Sequence, residues 1–166
     1  MNLALAKNET GRAVSDSFAV ARNRLPGTGR IAEARSAAFE AYESVGLPHR
    51  RIEDWKYTDL RVLMREVLPL APAPDASALK RAATALKLQA VKGARRLVLV
   101  DGVFAPTLSE LDALEKGLTI RTLREVLEGG DADLQAQLLA PDNDNPMVAL
   151  NSAMMTDGVV IEIANG

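Results

Sequence analysis

Along the N-terminal third of the chain, hydrophobic positions return every three or four residues. Val14, Phe18, Ala21 and Leu25 fall at i, i+4, i+7 and i+11, which predicts one helix with a single apolar stripe. Pro26, Gly27 and Gly29 stop it. Ile31, Ala34, Ala38, Ala41 and Val45 predict a second helix, with Tyr42 beside the stripe. Its small residues would let another helix approach closely, so the two read as an αα-hairpin whose narrow seam needs a partner surface. Gly46-Leu47-Pro48 ends the pair, and a dense polar–aromatic stretch runs from His49 to Thr58. With Thr58 as N-cap, Leu60, Leu63, Met64, Val67 and Leu68 predict an amphipathic helix that Pro69 terminates.

Residues 69–78 hold three prolines and read as an extended connector. A short helix with Leu79, Ala82, Ala83 and Leu86 on one face follows. The period then changes. Arg95 to Phe104 is a β-rich run interrupted by Asp101-Gly102, a pair favoured in two-residue hairpin turns because both residues accept positive φ. Leu118-Thr119-Ile120 can add a strand. Thr122 and Glu125 match a capping box for a helix that ends at Gly129-Gly130. Another helix is expected near 131–140. Asn145 as N-cap and Pro146 at the first helical position open one more, with Met147, Leu150 and Met154 on one face. A last strand at 156–166 would put Val159, Ile161 and Ile163 on one face, and it either ends a truncated protein with its edge unpaired or pairs with a short local sheet.

The pattern divides the chain into a helical region (1–68), a connector (69–78), a mixed part (79–155) and a terminal strand (156–166). The fold class is mainly α with a small β element. Composition agrees: 27 of the 166 residues are Ala and 23 are Leu, against six aromatics, a balance that favours helices over a β-sandwich. Without cysteine there is no disulfide, thiolate metal site or cysteine nucleophile, and one histidine, His49, leaves no multi-histidine metal site. No run reaches the ~20 apolar residues that a membrane span needs. A cytoplasmic protein with no membrane contact is the expectation. Residues 1–65 carry 11 Lys/Arg against 8 Asp/Glu, and residues 66–166 carry 9 against 14, too mild an asymmetry for a nucleic-acid binder.

Several motifs invite a chemical reading that their surroundings weaken. Gly27-Thr28-Gly29-Arg30-Ile31-Ala32 has the spacing of a dinucleotide loop, but a helix rather than a strand precedes it, so a helix–helix turn is expected. Asp142-Asn143-Asp144-Asn145 resembles the start of a calcium loop, but Met147 and Ala153 stand where the glycine and the closing glutamate belong. His49 near Glu53 and Asp54 could be a base with its orienting acid, yet no nucleophile motif accompanies it. Arg50, Arg51 and Lys56 around Trp55 and Tyr57 could grip phosphates and stack bases, which makes a small nucleic-acid-binding module the alternative function. Against it, the lone tryptophan is better explained as a core anchor, and neighbouring acids dilute the field.

Gly46-Leu47-Pro48-His49-Arg50-Arg51-Ile52-Glu53-Asp54-Trp55-Lys56-Tyr57-Thr58-Asp59-Leu60 resembles the N-terminal signature of the SufD family. Leu97 to Phe104 and Pro146 to Gly158 resemble the same proteins. The resemblance implies the N-terminal region of a subunit of a cytoplasmic iron–sulfur cluster assembly scaffold, working with SufB and the ATPase SufC. It also implies that the terminal strand begins a parallel β-helix. No catalytic residue, cofactor ligand or metal ligand carries over, so a non-enzymatic, interaction role without a cofactor is expected. Arg51, Glu53, Trp55, Lys56, Tyr57 and Thr58 are the signature residues, with structure as their expected role. Trp55 is expected to be substantially buried, at a cost of ~3–5 kcal/mol on truncation to alanine. The terminal strand, if unpaired, could self-associate with another copy.

Overall fold

A computed structural model describes residues 3–88, 91–139 and 145–164, with side chains from residue 9 onward. In chain order the helices are α1 (Leu3–Ala21), α2 (Arg30–Val45), α3 (Leu60–Leu63), α4 (Ala76–Leu88), α5 (Leu123–Glu128), α6 (Ala132–Leu139) and α7 (Pro146–Met154). The strands are β1 (Leu99–Val100), β2 (Val103–Phe104), β3 (Leu118–Thr122) and β4 (Val159–Ile163). The fold is therefore mainly α with a small β element. Two compact units divide it: residues up to Leu70 with those from Asp131 to Met155, and residues Ala71–Gly130 with those from Thr156 onward.

In the first unit the apolar stripe of α1 is buried as its spacing requires: Val14, Phe18, Ala21 and, just beyond the helix, Leu25 all face the core. Phe18 stacks on Phe39 of α2 with ring centroids 4.1 Å apart, and Phe39 meets Tyr42 at 5.7 Å. Such offset aromatic contacts add to the stabilisation from area burial. The buried face of α2 is not the alanine stripe. It consists of Ile31, Arg35, Phe39 and Tyr42, while Ala41 and Val45 are exposed. Alanine costs little on either face of a helix, so an alanine period carries less information than the spacing of three large residues. The Gly27–Ala32 segment is the expected helix–helix turn, with Gly27 and Gly29 both at positive φ. α7 begins as its sequence predicts, Pro146 following Asn145, whose Oδ1 accepts from the Met147 amide at 3.0 Å. Met147, Leu150 and Met154 pack against the core. Residues 142–144 of the calcium-like motif lie outside the described residues.

α3 corrects two expectations. It spans only Leu60–Leu63, not residues 60–68, and the chain leaves the helical region at Met64 (φ −86°, ψ 66°). Leu60, Met64 and Val67 of the predicted stripe still reach the core, the last two on non-helical backbone, whereas Leu63 and Leu68 are exposed. The cap is Asp59, not Thr58. The Thr58 amide closes the preceding turn onto the Trp55 carbonyl at 2.8 Å, and the helix starts one residue later, with Asp59 Oδ1 accepting from the Arg61 amide at 3.2 Å.

The second unit joins two small β elements to helices. Asp101 (φ 51°) and Gly102 (φ 79°) turn β1 into β2, pairing Leu99 with Phe104 and Val100 with Val103. Both central residues lie at positive φ, as a twisted two-residue hairpin requires. α4 covers this hairpin, its Leu79, Ala82 and Leu86 packing on Val98, Val100 and Ala105. The Thr122–Glu125 capping box is present in both directions, and Val126 and Leu127 of α5 are fully buried. β4 is not unpaired. It forms an antiparallel ribbon with β3 in the register Leu118↔Ile163, Ile120↔Ile161 and Thr122↔Val159. The expected isolated first rung of a parallel array is thus, within the described residues, half of an antiparallel pair. The predicted apolar face is also reversed: Val160 is the buried residue of β4, whereas Ile161 and Ile163 are exposed. Arg121 of β3 reaches Glu162 of β4 at 2.6 Å across the ribbon.

Candidate interaction loop

The polar–aromatic stretch forms a closed loop between α2 and α3. Gly46, at φ 76°, donates its amide to the Tyr42 carbonyl at 2.7 Å and turns the chain out of α2. Leu47 and Pro48 then bury themselves at the base. The Leu60 amide donates to the Pro48 carbonyl at 3.1 Å, pinning the two ends of the loop together. Between them four backbone hydrogen bonds brace the loop: Ile52 to His49, Trp55 to Ile52, Lys56 to Glu53 and Thr58 to Trp55, at 2.8–3.2 Å. A short compact loop with closed ends and internal hydrogen bonds holds its shape without a large core of its own.

The signature residues are mostly on the surface. Arg51, Glu53, Lys56 and Tyr57 are exposed, and Thr58 is half-buried. Trp55 is mostly covered, as expected, but it lies outside the core cluster. The loop's order comes from its backbone bonds and the Leu47–Pro48 base, so the indole need not be enclosed. Trp55→Ala is accordingly expected to cost about 1–2 kcal/mol in urea denaturation, well below the cost of deleting an enclosed tryptophan. Tyr57 is 92% exposed, with Lys56 Nζ 5.4 Å from its ring centroid. Lys56 Nζ also pairs with Glu53 Oε1 at 2.8 Å.

His49 sits at the foot of the loop, where its Nδ1 accepts from the Arg51 amide at 3.2 Å. His49 also lies close enough to Asp59 to act on its carboxyl. Burial pushes the Asp59 carboxyl up, but the hydrogen bonds and charge of Arg61, helped by His49, outweigh it and hold Asp59 below the usual carboxylate value. A pocket of about 260 Å³ opens beside this foot, lined by Ser15, Tyr42, Glu43, His49 and Arg61 among others. Ser15 donates to Glu43 Oε1 at 2.6 Å. Burial, then the Glu43 charge, pushes the Tyr42 phenol above its usual value, so the hydroxyl keeps its proton. That hydroxyl is buried and finds no hydrogen-bond partner among the described residues. Tyr42→Phe is therefore expected to stabilise the chain by about 1 kcal/mol in urea denaturation, because it removes a buried polar group that gains nothing from burial. A loss of stability would show that the hydroxyl has a partner.

Sequence reasoning missed one buried polar centre in the same unit. Arg35, 3% exposed, donates from Nη1 to the Ala153 and Ser152 carbonyls at 3.0 and 3.4 Å and from Nη2 to the Pro26 carbonyl at 3.0 Å. The signal was available: Arg35 lies four residues from both Ile31 and Phe39, in the middle of the stripe of large side chains. Among the described residues no group of three or more His, Cys, Asp or Glu side chains is placed to hold a metal ion. No helix among them is long and apolar enough to cross a membrane.

The family model described as the SufBD protein N-terminal region matches residues 24–166. An iron–sulfur cluster assembly SufBD family protein of Synechocystis sp. is 29% identical over 134 residues, which is 80% of this chain and 29% of that protein. The chain thus spans less than a third of this relative's length. No solved structure matches the chain.

Proposed function

Because the chain belongs to the SufBD family, matched from residue 24 to residue 166, we propose that it is the N-terminal, non-catalytic region of a SufD-like subunit of an iron–sulfur cluster assembly complex. The match runs through both compact units and carries the reading. It is supported by the relative that is itself described as a protein of iron–sulfur cluster assembly. The Trp55-Lys56-Tyr57-Thr58 signature favours the SufD branch over SufB. In this reading the partners are a SufB-type subunit and a SufC-type ATPase, and the complex works in the cytoplasm. Clusters and iron are cargo of the assembly. The region has no resident cofactor, and a segment without cysteine offers no thiolate to a cluster. Its work is to fold stably and present surfaces.

Co-expression of the full-length protein with the SufB- and SufC-type subunits of its own organism tests this. A stoichiometric complex on size exclusion, with reduced iron–sulfur enzyme activity in a deletion strain, is the expected result. A protein that elutes alone, from a strain whose iron–sulfur enzymes are unaffected by its deletion, would overturn the reading.

A further inference from the structure

We infer that the loop from His49 to Thr58 is a protein-docking element anchored by Tyr57, and that its partner presents an apolar slot rimmed by carboxylates. This rests on the scaffold role proposed above and says which surface performs it.

The first observation is the tyrosine itself. It is the most exposed large apolar side chain among those described, 92% open to solvent, and its Lys56 neighbour approaches the ring without covering it. Tyrosine is enriched where interfaces concentrate their binding energy, since it brings a large ring and a polar tip at the cost of fixing few torsions. The second observation is the support. Four backbone hydrogen bonds within the loop and the Leu60–Pro48 closure order it before any partner arrives. Little freedom remains to be lost on docking, and preorganisation of this kind turns contact area into affinity.

Charge decides the rim. Lys56 is engaged by Glu53, so those two largely cancel. Arg50 and Arg51 are exposed, and no ion pair among the described residues engages them. Asp54 is the one opposing charge left in the loop, so its free side chains carry a net positive charge. Carboxylates facing Arg50 and Arg51 would complement it and steer the encounter. A nucleic acid fits less well: two acids sit within the loop and the chain's net charge is −2, without the concentrated basic face that phosphate binding uses.

The test uses the full-length protein and measures its affinity for the SufB- and SufC-type subunits by biolayer interferometry. Tyr57→Ala is expected to weaken binding about 10–100-fold, Tyr57→Phe to change it little, and an Arg50→Glu, Arg51→Glu double variant to weaken it most at low salt. The melting temperature of Tyr57→Ala should stay within about 1 °C of wild type, as for other exposed substitutions. Wild-type affinity in Tyr57→Ala would sink the loop assignment while leaving the scaffold role intact. Absence of binding by the wild-type protein would sink both. A lower melting temperature for Tyr57→Ala would mean that another part of the same chain covers the ring, and it overturns the inference. So would tight binding of a single-stranded RNA oligonucleotide that Tyr57→Ala abolishes.

Discussion

Arg35→Met is expected to lower the stability of the N-terminal unit by about 4 kcal/mol, moving the urea midpoint down by about 2 M at a typical slope of ~2 kcal/mol per molar. Methionine fills much of the same volume, so the loss reports the guanidinium. Three carbonyls depend on it. Ser152 and Ala153 lie in the last turn of α7, where carbonyls have no partner within the helix, and Pro26 is a buried residue of the mostly exposed turn between α1 and α2. Hydrogen bonds from a charged donor contribute about 1.5–3 kcal/mol each, and buried acceptors left unmade incur their desolvation cost. The positive charge also opposes the negative end of the α7 dipole. Arg35→Lys, able to reach fewer of these carbonyls, should fall between the two. An Arg35→Met variant within 1 kcal/mol of wild type would mean that water satisfies the carbonyls instead.

This arginine also marks the boundary of what the chain's pattern discloses. The stripe of α1 is legible because Val14, Phe18 and Leu25 are large and no alternative face competes with them. In α2 a stripe of three alanines with Ile31 and Val45 suggested one face, while Ile31, Phe39 and Tyr42 occupy another that shares only Ile31 with it. The large ones prevail because burying a Phe or Tyr ring stabilises far more than burying an alanine methyl. Arg35 then reads as a break in hydrophobicity when it is in fact the polar centre of the buried face. Capping signals transferred well at Thr122–Glu125, Asn145–Pro146 and Asp101-Gly102, since each is satisfied within a few residues. The same chemistry missed by one position at Thr58, where the adjacent Asp59 offers a carboxylate oxygen to the first turn. α3 was overextended because a four-residue helix has little to offset its nucleation cost, and Met64, Val67 and Leu70 reach the core without helical geometry.

The candidate site was legible as a place and not as a role. The density of Arg, Trp, Lys and Tyr between residues 49 and 58 singled out the loop. Side-chain direction in such a loop follows from backbone turns that no periodicity encodes: Trp55 is mostly covered, as expected, while Tyr57, two residues on, stands in solvent. The partner and register of the last strand were illegible for a related reason. β3 and β4 lie about forty residues apart in sequence, and their register follows from contacts at the ribbon ends: the Leu123 amide on the Gly158 carbonyl at 3.0 Å and the Ala164 amide on the Gly117 carbonyl at 2.8 Å.

Asp157→Ala should cost the second unit about 3 kcal/mol, for a reason that joins these elements. Asp157 Oδ1 accepts from the Arg124 amide at 3.1 Å, and Oδ2 accepts from the Phe104 amide at 3.0 Å. The first turn of a helix has amides with no internal acceptor. In α5 they are met one by one: Leu123 by the Gly158 carbonyl, Arg124 by Asp157, and Glu125 by the Thr122 hydroxyl. Through its other oxygen the same carboxylate ties β2 to the turn before β4. Removing it strips two amides at once, each bond to a charged acceptor contributing about 1.5–3 kcal/mol, with water recovering part of the loss at this half-buried site. Asp157→Asn keeps one oxygen and should lose about half as much. Amide exchange separates this from a general loosening: Phe104 and Arg124 should exchange much faster in Asp157→Ala, while the α1 and α2 amides keep their wild-type rates. Unchanged protection at Phe104 and Arg124 would show that the carboxylate is not what holds β2, α5 and the approach to β4 together.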